Sequence, residues 1–145
     1  MRLLVQRSLN SKVEVENKVT GKIDFGLVVL VGFEENDTEK DIDYLVNKVV
    51  NLRIFDDDEG VMNKSLLDVK GDILSISQFT LYADTKKGNR PSYIRAMKQD
   101  KASKYYSLFN QKLRKYCKVE EGIFRADMKV SITNDGPITI LLESR

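Results

Sequence analysis

The stretch that most restricts how this chain can fold is Leu27-Val28-Val29-Leu30-Val31-Gly32-Phe33, its longest apolar run. Seven residues rich in valine have the length and character of a strand buried inside a sheet. The run falls far short of the ~20 apolar residues that a membrane-spanning helix needs. A buried strand needs partners, and residues 2–7 and 11–17 supply apolar side chains at strand length. Gly21 and Gly26 are expected to bracket a turn before the buried strand. Ile42, Leu45, Val46, Val49 and Val50 then recur at helical spacing behind Thr38 and Asp41, which stand three apart as in a capping box.

The second half repeats the pattern. Asp56-Asp57-Asp58-Glu59-Gly60 reads as a turn, and Ile73 to Phe79 as a central strand that ends in polar groups. Ala102, Tyr106, Phe109, Leu113 and Tyr116 mark a second helix, with lysines and Arg114 on its other faces. Two final strands, Met128–Thr133 and Ile138–Glu143, are joined by the turn-forming Asn134-Asp135-Gly136-Pro137 into a hairpin-like end. The expected architecture is therefore α/β: a sheet-rich core with two main helices on one side. At 145 residues, with no repeat, low-complexity tract or linker, residues 1–145 are expected to form one compact domain.

The N-terminal stretch, Met1-Arg2-Leu3-Leu4-Val5-Gln6-Arg7, has none of the layout of a secretory leader. Cys117 is the only cysteine, so no internal disulfide can form, and its place in a helical apolar stripe makes it a packing residue. Both features predict a cytoplasmic protein.

Chemistry is narrowed most by an absence: the chain has no histidine. Ser-His-Asp and Cys-His catalysis are thereby excluded, along with the commonest general base and metal ligand. Zinc would have to rely almost wholly on carboxylates, and no metal or cofactor is expected. The acidic run from Asp56 fails the calcium-loop pattern, since its sixth position is Val61 and its twelfth Leu67. No glycine-rich phosphate loop occurs. The net charge of +2 does not announce nucleic acid, but Lys86, Lys87, Arg90, Arg95 and Lys98 crowd one region against a single acid, Asp84. What remains for chemistry is small polar groups: Ser77-Gln78-Phe79-Thr80 at a strand end, Gly88-Asn89-Arg90-Pro91-Ser92 in a basic loop, and Asn134–Pro137. By residue type alone, each of these also suits an ordinary strand end or turn, and a Gly-Pro bond is trans in about 95 % of cases.

Taken together, however, these segments resemble the D-aminoacyl-tRNA deacylases, the D-tyrosyl-tRNA deacylase family. The resemblance runs the length of the chain through Val5-Gln6-Arg7, Asn51-Leu52-Arg53-Ile54-Phe55, Met62-Asn63-Lys64-Ser65, Ser77-Gln78-Phe79-Thr80-Leu81, Lys87–Ser92, Ala126-Asp127-Met128 and Asn134-Asp135-Gly136-Pro137-Ile138-Thr139. It implies a β/β/α fold with a mixed, largely antiparallel sheet, and a homodimer that hydrolyses the ester of D-aminoacyl-tRNA in chiral proofreading. Its catalytic segment would be Ser77, Gln78, Phe79 and Thr80, with backbone N–H groups around Phe79 and Thr80 facing the developing oxyanion. A cis Gly136–Pro137 bond, oriented by Arg7, would enter the partner's pocket and reject L-amino acids. Met128, Asn134 and Ala126 would shape the pocket, and Lys86, Lys87 and Arg90 would meet tRNA phosphates. The tRNA's terminal 2′-hydroxyl would assist catalysis, which accommodates the missing histidine. Neither DNA nor membrane is expected as a partner. Two residues depart from the family pattern: Arg125, where a glycine is expected, and Tyr93, where phenylalanine is usual. The alternatives are a sister enzyme that edits mischarged L-aminoacyl-tRNA, and a non-catalytic nucleic-acid-binding protein of the same fold.

Overall fold

The computed structural model describes residues Met1–Arg145. The element order is β1 (Arg2–Val15), β2 (Lys18–Gly32), α1 (Glu39–Asn51), β3 (Phe55–Asp56), β4 (Met62–Lys64), α2 (Leu66–Val69), β5 (Asp72–Ser77), a 3-10 turn (Phe79–Tyr82), α3 (Gln99–Leu113), β6 (Val119–Glu121) and β7 (Lys129–Glu143). Five strands form one mixed sheet in the order β6-β5-β2-β1-β7, while β3 and β4 pair separately. β1 is antiparallel to both β2 and β7; β5 runs parallel to β2 and to β6. A parallel neighbour requires a crossover. The segment holding α1 supplies the one between β2 and β5, and α3 supplies the one between β5 and β6.

The apolar run does what its length demands. Leu27, Val29 and Val31 face α1 and α3, where they join a buried core of 22 residues including Leu45, Val49 and Phe109. Val28 faces the other way and packs with Val13, Ile23, Leu74 and Ile76. The sheet is thus covered on both faces at β2, which is why this strand has no polar alternation. Helix α1 buries the five residues that its periodicity singled out. The Asp41 carboxylate accepts from the Thr38 backbone N–H at 2.8 Å, so the capping geometry is present. No helix is long and apolar enough to cross a membrane.

Several boundaries differ from the sequence expectation. Residues 2–7 and 11–17 do not form separate strands; residues 2–15 are continuous, and the turn lies at Glu16-Asn17. Both turn residues have positive φ, 50° and 63°, which fits the twist of a two-residue hairpin. Gly21 and Gly26 lie inside β2. Gly26 has φ +147°, and a Cβ there would fall 1.9 Å from the Asp72 carbonyl oxygen, so this glycine marks the close approach of β5. The expected hairpin-like end is instead one strand, because both halves of β7 pair with β1; Gln6 lies opposite Thr139 and Ser8 opposite Asn134, so the intervening residues bulge out of the ladder. Strand β5 stops at Ser77, so Phe79 belongs to the following turn, and Tyr116 lies past the end of α3.

The 56–60 turn is built by Asp57, whose carboxylate accepts from the N–H groups of Glu59 at 2.9 Å and Val61 at 3.0 Å. The Val61 bond is the main reason its pKa lies below the ordinary carboxylate value. Cys117 is half-buried against the main core, and burial pushes its thiol up to about 11, which leaves it protonated at neutral pH.

Candidate functional site

Strands β2 and β5 run parallel and end side by side, and beyond their carboxyl ends lies a cleft of about 620 Å³. Ligands commonly bind at such ends, where the chain leaves the sheet in loops. The size falls in the range of small-ligand sites. Ser77, Gln78 and Phe79 line the cleft on one side, and Phe124, Ala126 and Met128, from the segment between β6 and β7, also contribute to it.

The turn after β5 explains how the signature is presented. The Gln78 N–H donates to the Val31 carbonyl at 2.7 Å, the last bond before the chain coils into Phe79–Tyr82. The Gln78 side-chain amide donates to the Thr80 hydroxyl at 2.5 Å. From outside, Arg2 clamps the turn: its Nη1 donates to the Leu81 carbonyl at 2.9 Å, and its guanidinium lies 4.7 Å from the centroid of the Tyr82 ring. Burial holds the Tyr82 phenol well above its ordinary pKa, so the ring stays neutral. Phe79 is 57 % exposed, and its ring meets Tyr93 edge-on at 5.0 Å. Two aromatic side chains at the cleft offer a surface on which a planar ligand can stack.

Gly136 and Pro137 do not line this cleft. Their peptide bond is cis, as the resemblance implied and the base rate did not, and both residues are exposed. They sit at the bulge of β7, with Asn134 spanning them: its side-chain oxygen accepts from the Ile138 N–H at 3.2 Å. Its amide nitrogen donates to the Thr139 hydroxyl at 2.9 Å. Asn134 therefore stands beside the Gly-Pro segment, away from Ala126 and Met128. The nearly buried Arg7 holds the segment from behind. Its Nε donates to the Asp135 carbonyl at 3.3 Å and lies 3.2 Å from the Asp135 carboxylate, while Nη1 donates to the Ile54 carbonyl at 3.0 Å.

Lys86, Lys87 and Arg90 are exposed on a loop closed by the Asp84–Ser92 bridge, one residue before Tyr93. Thr80 is half-buried behind Phe79 and does not line the cleft. Sequence reading did not single out Val31, Phe33, Met97 or Ala102 as cleft residues. No signal separated them from the core, since a cleft wall and a core stripe share one apolar pattern.

The model of the family described as D-Tyr-tRNA(Tyr) deacylase matches residues 4–143. A D-aminoacyl-tRNA deacylase of Thermosipho melanesiensis is 56 % identical over 147 residues, spanning 100 % of this chain and 98 % of that protein. The solved structure of a c-Myc DNA unwinding element binding protein is 40 % identical with a TM-score of 0.95, covering 100 % of this chain and 99 % of that one. A probable eukaryotic D-amino acid tRNA deacylase shares the fold, with a TM-score of 0.85, 18 % identity and 98 % of each chain covered. With its mixed sheet, its cleft beyond the Ser77–Phe79 strand end and a match over nearly every residue, the chain belongs to the D-Tyr-tRNA(Tyr) deacylase family, a family of hydrolases.

Proposed function

We propose that this protein hydrolyses the ester joining a D-amino acid to the 3′ end of tRNA, releasing the free D-amino acid and tRNA. One observation carries the reading: Ser77, Gln78, Phe79, Ala126 and Met128, far apart in sequence, line one cleft in a chain that lacks histidine. The family match and the name of the Thermosipho relative support the substrate class.

In the reaction, water adds to the ester carbonyl carbon and the carbonyl oxygen gathers charge. The bond to the ribose oxygen then breaks, and that oxygen leaves with a proton. The vicinal 2′-hydroxyl of the terminal ribose handles the proton traffic, since the chain offers no ordinary base near the cleft. The protein contributes position and charge stabilisation. The N–H groups of Phe79 and Thr80 open the 3-10 turn, where the first amides have no partner within the turn. Of the two, Phe79 lines the cleft, so its N–H is the first candidate donor to the oxyanion, and one such donor is worth about 3–4 kcal/mol in a transition state. Thr80 positions rather than attacks, because its partner is the Gln78 amide, which is no base and cannot take up the hydroxyl proton.

Chirality is read by a second copy of the chain. In the proposed homodimer, the carbonyls of Gly136 and Pro137 from one protomer enter the partner's cleft and occupy the space an L side chain would need. The exposure of this segment, its absence from its own cleft and its anchoring by Arg7 support the arrangement. Phe79 and Tyr93 suit the terminal base, and Lys86, Lys87 and Arg90 suit the phosphates behind it, as contacts that add affinity without reading sequence. Proofreading of translation places the protein in the cytoplasm.

The test compares D- and L-tyrosyl-tRNA with the purified protein. Hydrolysis of the D-ester with the L-ester spared is expected; preference for the L-ester overturns the reading. Gly136→Ala should admit the L-ester while hydrolysis of the D-ester continues, whereas Phe79→Ala should slow the D-ester. A second reading, nucleic-acid binding without catalysis, is favoured by the name of the structural neighbour at 40 % identity. A protein that binds duplex DNA yet leaves every D-ester intact would establish it.

A further inference from the structure

The cleft is lined mainly by apolar side chains, and Arg125 and Lys98 are the only charged residues among those that line it. No carboxylate faces them from within the cleft, and neither side chain is held in an ion pair or hydrogen bond. The near neighbours differ in this respect: Arg95 pairs with Glu34 at 3.1 Å, and the Lys98 backbone N–H, not its ammonium, donates to Glu35. Both are exposed at the rim of this mostly apolar cleft, where two unpaired cations make the local potential positive.

Arg125 has a second unusual property. Its φ is +67°, a left-handed conformation that side chains other than glycine adopt rarely. Asn10, Glu16, Asn17 and Lys70 share this region, but of the five only Arg125 stands in the cleft wall.

We propose that Arg125, assisted by Lys98, is a specificity-determining residue that holds an anionic group of the substrate in this cleft. The inference rests on the reading of the cleft as the place of ester hydrolysis. Two groups of a D-aminoacyl-tRNA carry the required charge: the carboxylate of a D-aspartyl or D-glutamyl side chain, and the phosphate linking the terminal nucleotides. A guanidinium suits either, because its planar fork matches both anions with paired N–H donors. The two sources predict different selectivity, since every tRNA has the phosphate and only acidic amino acids have the second carboxylate.

The experiment measures kcat/KM for D-aspartyl-tRNA and D-tyrosyl-tRNA with the wild-type protein, Arg125→Gly, Arg125→Lys and Lys98→Ala. Glycine relieves the left-handed strain, so Arg125→Gly should fold, and its melting temperature serves as the check. A charge-assisted contact predicts a loss of roughly tenfold or more in Arg125→Gly, a partial return in Arg125→Lys and a smaller loss in Lys98→Ala. A loss confined to D-aspartyl-tRNA identifies the side-chain carboxylate; an equal loss on both esters, reduced at high salt, identifies the phosphate. Wild-type hydrolysis that Arg125→Gly leaves unchanged on both esters overturns the inference and spares the functional reading. A wild-type protein inert on both esters overturns the two together.

Discussion

The two faces of the central sheet are filled in different ways. Under α1 and α3 lies a closed core of 22 buried residues, whereas the opposite face buries a cluster of five, with Met128 and Val130 lying partly buried beside it. Met128 and Val130 also line the cleft, so the lightly covered face runs directly into the candidate site. Burial is concentrated where helices cover the sheet, and the candidate site lies where the sheet ends without full cover. Val31, Phe33, Met97 and Ala102 of the larger core wall the same cleft, so tolerance to change is expected only at its exposed residues, such as Phe79.

The sharpest break between the two regions should come from Phe109, which is fully buried on α3. Phe109→Ala should lower stability by about 3–5 kcal/mol in denaturant unfolding, through lost burial and the cavity left behind. Turnover per folded molecule should stay unchanged. A loss below ~1 kcal/mol would show that the helix-covered core is not the stabilising one.

Phe79 tests the other side of the contrast. Phe79→Ala removes an exposed ring, so the melting temperature should barely move, while transition-state stabilisation should fall by about 1–3 kcal/mol if a base stacks there. Steady-state kinetics would read this as a drop of roughly five- to 150-fold in kcat/KM. A large fall in stability instead would place Phe79 with the core. Gly136→Ala should cost about 1–2 kcal/mol of stability, because φ is +123° and the new Cβ would lie 2.8 Å from the Ile138 side chain. Its unfolding curve decides whether this outer segment is as strictly shaped as the core.

The smallest effect concerns Asp57, outside both regions. Its folded pKa lies below the ordinary 3.8, so the carboxylate adds stability above that value and the contribution disappears as pH falls through the folded pKa. Asp57→Asn should therefore flatten the dependence of melting temperature on pH in the acid range. An unchanged slope would mean the turn is held by other bonds.

The helix-covered face was legible in the sequence because burial on one side of a helix imposes a period, and Ile42, Leu45, Val46, Val49 and Val50 display it. The strand Leu27–Phe33 was legible by length. What escaped were features set by distant partners. Gly26 looked like a turn residue because its real constraint, the backbone of Asp72, lies 46 residues away in the chain. The bulge at Asn134–Ile138 looked like a hairpin because turn residues do not say whether the chain reverses or only steps aside. Ser65 and Asp68 form a reciprocal cap for α2, and their spacing could have revealed that short helix. The candidate site was legible as segments carried by family resemblance. Their division into a cleft and a separate Gly-Pro projection depends on topology, which periodicity does not encode.

The sheet has two very unequal borders, three residues of β6 at one side and fifteen of β7 at the other. A long border of unused amides invites other chains to attach and polymerise. Here the offset at Asn134–Ile138 splits that border in two, and Pro137 brings no N–H to it. A stray strand could zip along one half but not both. The same few residues that present the Gly-Pro segment thereby guard the molecule against fibre growth.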